Sequence, residues 1–83
     1  MSLSKEFADL DFSYMRKVAD GMAKHVRNMS ATEQLMSIAI VAGATLAVQT
    51  PNETAARQML VHFIGAVEHE LDGALKRAGK SKL

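Results

Sequence analysis

The sequence predicts an all-α fold: a three-helix antiparallel bundle per chain, with a nearly all-apolar central helix that is completed by dimerisation. Three observations lead there. Alanine, leucine, methionine, lysine and glutamate dominate, with one proline and only 5% aromatic residues. Two capping signatures divide the 83 residues into three segments joined by short turns. The middle segment has no polar side at all.

The capping signatures are Ser30-Ala31-Thr32-Glu33 and Thr50-Pro51-Asn52-Glu53. In each, a hydroxyl at the cap position and a glutamate three residues on answer amide groups that a helix start leaves unpaired. Pro51 suits a first helical position, where its missing N–H costs nothing. Turns near 29–31 and 49–51 are short, which favours antiparallel neighbours.

The first helix is expected over residues 4–29. Tyr14, Met15, Val18, Met22, Val26 and Met29 recur at spacings of three and four. Upstream, Leu3, Phe7 and Leu10 keep the same rhythm. Asp11-Phe12-Ser13 offers a competing cap that would leave a short N-terminal helix or a kink, and the continuous helix is the reading adopted.

The second helix is expected over 31–49. Leu35, Ile38, Ile40, Val41, Leu46 and Val48, with four alanines among them, point in every direction around the axis. The β-branched residues would also suit a strand, but the run is long, rich in alanine and capped as helices are. Its most apolar part, residues 35–48, is shorter than the roughly 20 residues of a membrane span, so it reads as core and no span is expected. Two flanking helices cannot wrap it fully. The remainder is an expected self-association surface, assigned to Ile38, Val41, Ala42, Ala44 and Leu46.

The third helix is expected over 51–78. Ala56, Leu60, Phe63, Ile64, Val67, Leu71, Ala74, Leu75 and Ala78 share one side, and Gln58, His62, Gly65 and His69 the other. Gly79 is the expected stop, and residues 80–83 a basic, disordered tail. Residues 1–79 thus form a single domain.

Charge and chemistry narrow the function. The net charge is +1, so no global field draws the chain to nucleic acid or lipid. No apolar leader follows the first residues, and cysteine is absent, as suits a reducing, cytoplasmic setting. The final Ser81-Lys82-Leu83 matches a peroxisomal address, read here as coincidence. A chain this small, without disulfides, gains most from a second copy.

No catalytic constellation is visible: there is no cysteine nucleophile, no serine elbow and no glycine-rich phosphate loop. No cofactor and no metal are expected. His62 and His69 are seven residues apart, about 10 Å along an axis, too far to share an ion. No glutamate has a histidine three residues on, as di-iron bundles require. His25 flanks the apolar face of the first helix, where burial at an interface would make association pH-sensitive.

Met15, Met22 and Met29 repeat every seven residues. They read as core filling or as an adaptable surface for a partner helix, because unbranched thioethers repack easily. The expectation is therefore a non-enzymatic protein-binding module, an adaptor, inhibitor or regulatory subunit, acting as a homodimer. The alternative is a small nucleic-acid-associated protein contacting phosphate through Lys76, Arg77, Lys80 and Lys82. Glu68, Glu70 and Asp72 nearby oppose it, as does the lack of tryptophan.

Overall fold

The computed structural model describes residues 3–80, with side chains from Glu6 onward. Over these residues the chain forms helices α1 (Leu3–Ala8), α2 (Phe12–Val26), α3 (Ala31–Gln49) and α4 (Glu53–Arg77), and no strand. The all-helical class is as expected. The first helix, however, is two.

The break lies at Asp9–Asp11. The Asp11 Oδ1 accepts a hydrogen bond from the Tyr14 amide at 3.1 Å while its own backbone stays extended. A short acidic side chain that binds a backbone amide offers an alternative to helix continuation, and here it caps α2 instead. The far end also differs from the expected 29. α2 stops at Val26, because Ser30 must be extended to cap α3. Residues 27–29 make the turn, closed by Met29 N–H to Val26 O at 3.0 Å and Gln34 Nε2 to Met29 O at 2.9 Å.

α3 begins in a complete capping box: Glu33 N–H donates to Ser30 Oγ at 3.1 Å, and Ser30 N–H to Glu33 Oε1 at 2.8 Å. These two bonds hold the Glu33 carboxyl below its ordinary pKa, the backbone bond from Ser30 contributing most. The expected box at Thr50 does not form. The Thr50 hydroxyl turns back to the Leu46 carbonyl, and Asn52 caps α4, its Oδ1 accepting from Ala55 N–H at 2.8 Å. Asparagine outranks threonine at an N-cap, and the two stand only two residues apart. Glu53 is thereby released to pair with Arg57 at 2.8 Å, one turn on.

Gly79 ends α4 in the left-handed region at φ 69°. Its N–H donates to Lys76 O at 3.2 Å, and Lys80 N–H donates to Leu75 O at 2.8 Å, the paired bonds of a Schellman closure. Lys80, expected in the disordered tail, is part of that closure, and residues 81–83, Lys82 among them, lie outside the described residues.

α4 is the platform: α3 and α1 both pack on it. α1 does so through Phe7, whose ring stacks on His62. The expected division of α4 holds in part: Ala56, Leu60, Phe63 and Leu75 are half-buried and Gln58 and His69 exposed, as expected, whereas His62 is half-buried and Ile64, Val67 and Leu71 are exposed. α2 is tethered by Arg16 to Glu70 at 3.2 Å, an exposed ion pair.

The result is an open arrangement in place of a closed three-helix bundle. Among the described residues none is buried, and sixteen large apolar side chains are exposed. The accessible surface is 7138 Å², against about 4,900 Å² for a compact monomer of 9.0 kDa. The radius of gyration is 14.3 Å, where about 12 Å is usual for this length.

Candidate functional site

The uncovered apolar surface is the site candidate, and α3 is its centre. No charged residue occurs between Glu33 and Glu53. The two hydroxyls within its apolar run, residues 35–48, are satisfied internally, Ser37 by Glu33 O at 2.9 Å and Thr45 by Val41 O at 2.8 Å. With no polar group seeking water, every side of α3 favours protein or lipid over solvent. Yet Ile38 is 42% exposed, Val41 59% and Val48 78%.

Three concavities open between the helices, two of them against α3. The smallest, about 350 Å³, lies among all four helices and is lined by Phe7, Met22, Ile38, Leu46 and Phe63. A second of about 470 Å³ lies between the α1–α2 corner and α4, lined by Phe12, Met15 and Ala66. The largest, about 710 Å³, is a groove between α2 and α3. Its walls are Val18, Met22 and Val26 on one side and Ile38 and Val41 on the other, and His25 also lines it.

Of the residues assigned to self-association, Ile38, Val41, Ala42 and Leu46 line these concavities, and Ala44 lines none. Val41 and Ile38 belong to both the central hollow and the α2–α3 groove. The methionines separate. Met22 is in the groove, Met15 is in the α1–α4 hollow, and Met29 is half-buried in the turn beyond α2. Heptad spacing put them on one stripe, but α2 ends before Met29, so the stripe is cut.

A second apolar feature was not singled out in advance. Ile64, Val67 and Leu71 form a ridge along α4, exposed by 48%, 50% and 53%. They lie toward one edge of the expected dry face, and the half-buried side is offset from them, running from Leu60 and Phe63 to Met59, His62 and Ala66. Nothing in local sequence announces that offset, because it follows from where α1 docks.

The remaining candidates are dispersed. Lys76 and Arg77 sit in the last turn of α4, with Arg77 folded back over Gly73 at 3.2 Å from where a Cβ would stand. Glu68, Glu70 and Asp72 lie one to two turns before them. Among the described residues no three His, Asp or Glu side chains converge on a point that would hold a metal ion. By length and composition α3 also suffices to cross a membrane, with 19 residues and a mean hydropathy of 1.5 over its best window.

No known protein family, curated protein or solved structure matches this chain.

Proposed function

We propose that this chain is a small, non-enzymatic, cytoplasmic protein-binding module, an adaptor, inhibitor or regulatory subunit, that acts as a helical homodimer. One observation carries the reading. The chain exposes roughly 2,300 Å² more surface than a compact monomer of its mass would, and buries no side chain among the described residues. Obligate homodimers bury about 2,000–5,000 Å² in total, so two chains that each hid this excess would fall inside that class. The surface to be hidden centres on α3 and the groove it shares with α2. Ile38 and Val41 serve self-association there, and Met22 supplies the adaptable wall that a partner helix meets.

A second reading is favoured by α3 itself. A helix of 19 residues is about 28 Å long, close to the roughly 30 Å of a bilayer core, and the hydroxyls of Ser37 and Thr45 within its apolar run are already bonded. In that reading lipid covers α3, and the amphipathic α2 lies at the interface. Nucleic-acid contact through Lys76, Arg77, Lys80 and Lys82 is weaker, since Glu68, Glu70 and Asp72 adjoin them.

Thermal unfolding by circular dichroism, in buffer without detergent, separates these. A dimer that folds on association melts at a higher temperature as concentration rises from about 1 to about 100 μM. A midpoint independent of concentration contradicts the homodimer. Recovery of the chain only with membranes or detergent supports the bilayer reading instead. Binding to duplex DNA that weakens steeply with salt and with neutralisation of the four basic residues supports the third.

A further inference from the structure

We infer that α1 is a strap on a two-position hinge at Asp9–Asp11: in one position it lies on α4, as in this structure, and in the other it joins α2 in one continuous helix over residues 3–26. The inference concerns the chain's own conformations, so it stands or falls independently of the homodimer. Between Phe7 and Tyr14 there is no proline and no glycine, so nothing in the covalent chain requires a break. The backbone at Asp11 is one rotation from helical: φ is −77°, already in the α range, and only ψ, at 91°, lies outside it. Leu10 N–H still reaches Phe7 O at 3.5 Å, the loosened last turn of α1.

The apolar pattern reads straight through the hinge. On one continuous helix Phe7, Leu10, Tyr14 and Val18 would fall within about 80° of one another. In the bent form Leu10, Phe12 and Tyr14 stay 45%, 48% and 59% exposed, so the bend gains little for them. Two local contacts hold it. Asp11 Oδ1 accepts from Tyr14 N–H at 3.1 Å, ending one helix to begin another. Phe7 stacks on His62 and anchors six residues too few to stay helical alone. Against these stand the backbone bonds that a continuous helix regains, a close balance of the kind a two-position segment requires. What the hinge controls is the apolar side of α4. Phe7 belongs both to the central hollow and to the hollow between the α1–α2 corner and α4. With α1 drawn out, the two become one cleft walled by Met15, Met22, Leu46, Phe63 and Ala66. The bent form thus fills with its own Phe7 a space that the straight form presents.

Asp11→Ala tests this, because loss of a cap and release of a hinge have opposite signs. Plain cap loss frays the start of α2 and leaves residues 9–11 non-helical. The inference expects the Cα chemical shifts of residues 9–11 to become helical instead. The absence of cysteine also allows spin labels at Glu6→Cys and Val61→Cys, beside the stacked pair, in chains diluted with unlabelled copies. The short distance of the parent is expected to give way in Asp11→Ala to a second, longer one. Asp11→Glu, which keeps the charge and favours helix over cap, is the second variant should Asp11→Ala lose its fold, with the same shifts expected. Residues 9–11 that stay non-helical in both variants overturn the inference. Helical shifts at 9–11 with an unchanged distance between the labels do so too, since α1 would then have joined α2 without leaving α4.

Discussion

The rings of Phe7 and His62 lie stacked, centroids 6.1 Å apart and planes inclined by 17°. This contact seats the six-residue α1 on a side of α4 that carries polar residues, and it leaves the apolar ridge of Ile64, Val67 and Leu71 without a neighbour. α1 is too short to persist alone, so its helicity depends on that anchor. Phe7→Ala removes a stacked aromatic pair worth about 0.5–1.5 kcal/mol. We expect faster limited proteolysis at residues 9–11 and a small loss of helical signal, with α2 to α4 retained. Unchanged cleavage there would mean the stack does not hold α1.

The α3 cap carries a pH dependence of defined sign. The Glu33 carboxyl is held below its ordinary pKa of 4.5 by its bonds to Ser30. A carboxyl whose folded value is depressed stabilises fully above the unfolded value and loses that contribution as pH falls through the folded one. Helicity of the parent is therefore expected to fall more steeply below pH 4.5 than that of Glu33→Gln, whose amide can still bond Ser30 but does not titrate. Ser30→Ala should cost about 1 kcal/mol at neutral pH, measured by denaturant unfolding. Superimposable acid titrations of parent and Glu33→Gln would dismiss the box as the source.

The start of α4 discriminates two caps two residues apart. Asn52→Ala removes the acceptor for Ala55 N–H and is expected to cost about 1 kcal/mol. Thr50→Ala removes only a hydroxyl bonded back to Leu46 O, at the end of α3, and should cost less. The reverse order would return the cap to Thr50.

The α2 tether is weak by construction. Arg16 and Glu70 are 57% and 47% exposed, so water and salt screen their 3.2 Å contact. A double-mutant cycle on this pair is expected to give no more than about 1 kcal/mol, vanishing in about 1 M salt. Retained coupling at high salt would show that the pair is desolvated.

Signals carried by neighbouring residues were legible in the sequence. The Ser30–Glu33 box and the Gly79 stop were both readable, because each depends on groups within five residues. The extent of α3 was readable from composition. The break at Asp11 was harder, since Leu3, Phe7, Leu10 and Tyr14 preserve helical rhythm across it and only a side-chain bond to Tyr14 N–H decides. Docking was not legible. The position of Phe7 on His62 depends on contacts 55 residues apart in sequence, and with it went the place of His62 on α4's wet side. The site followed suit: Ile38, Val41 and Met22 meet in one groove, whereas Met15 and Met29, chosen by spacing, do not reach it.

One chain leaves α3 exposed, and on the proposal above a second copy covers it. Light scattering coupled to size exclusion at micromolar concentration weighs it directly. Two chains of 9.0 kDa predict a mass of about 18 kDa in detergent-free buffer. A helical, cooperatively folded species at 9.0 kDa, stable on dilution, would contradict the account.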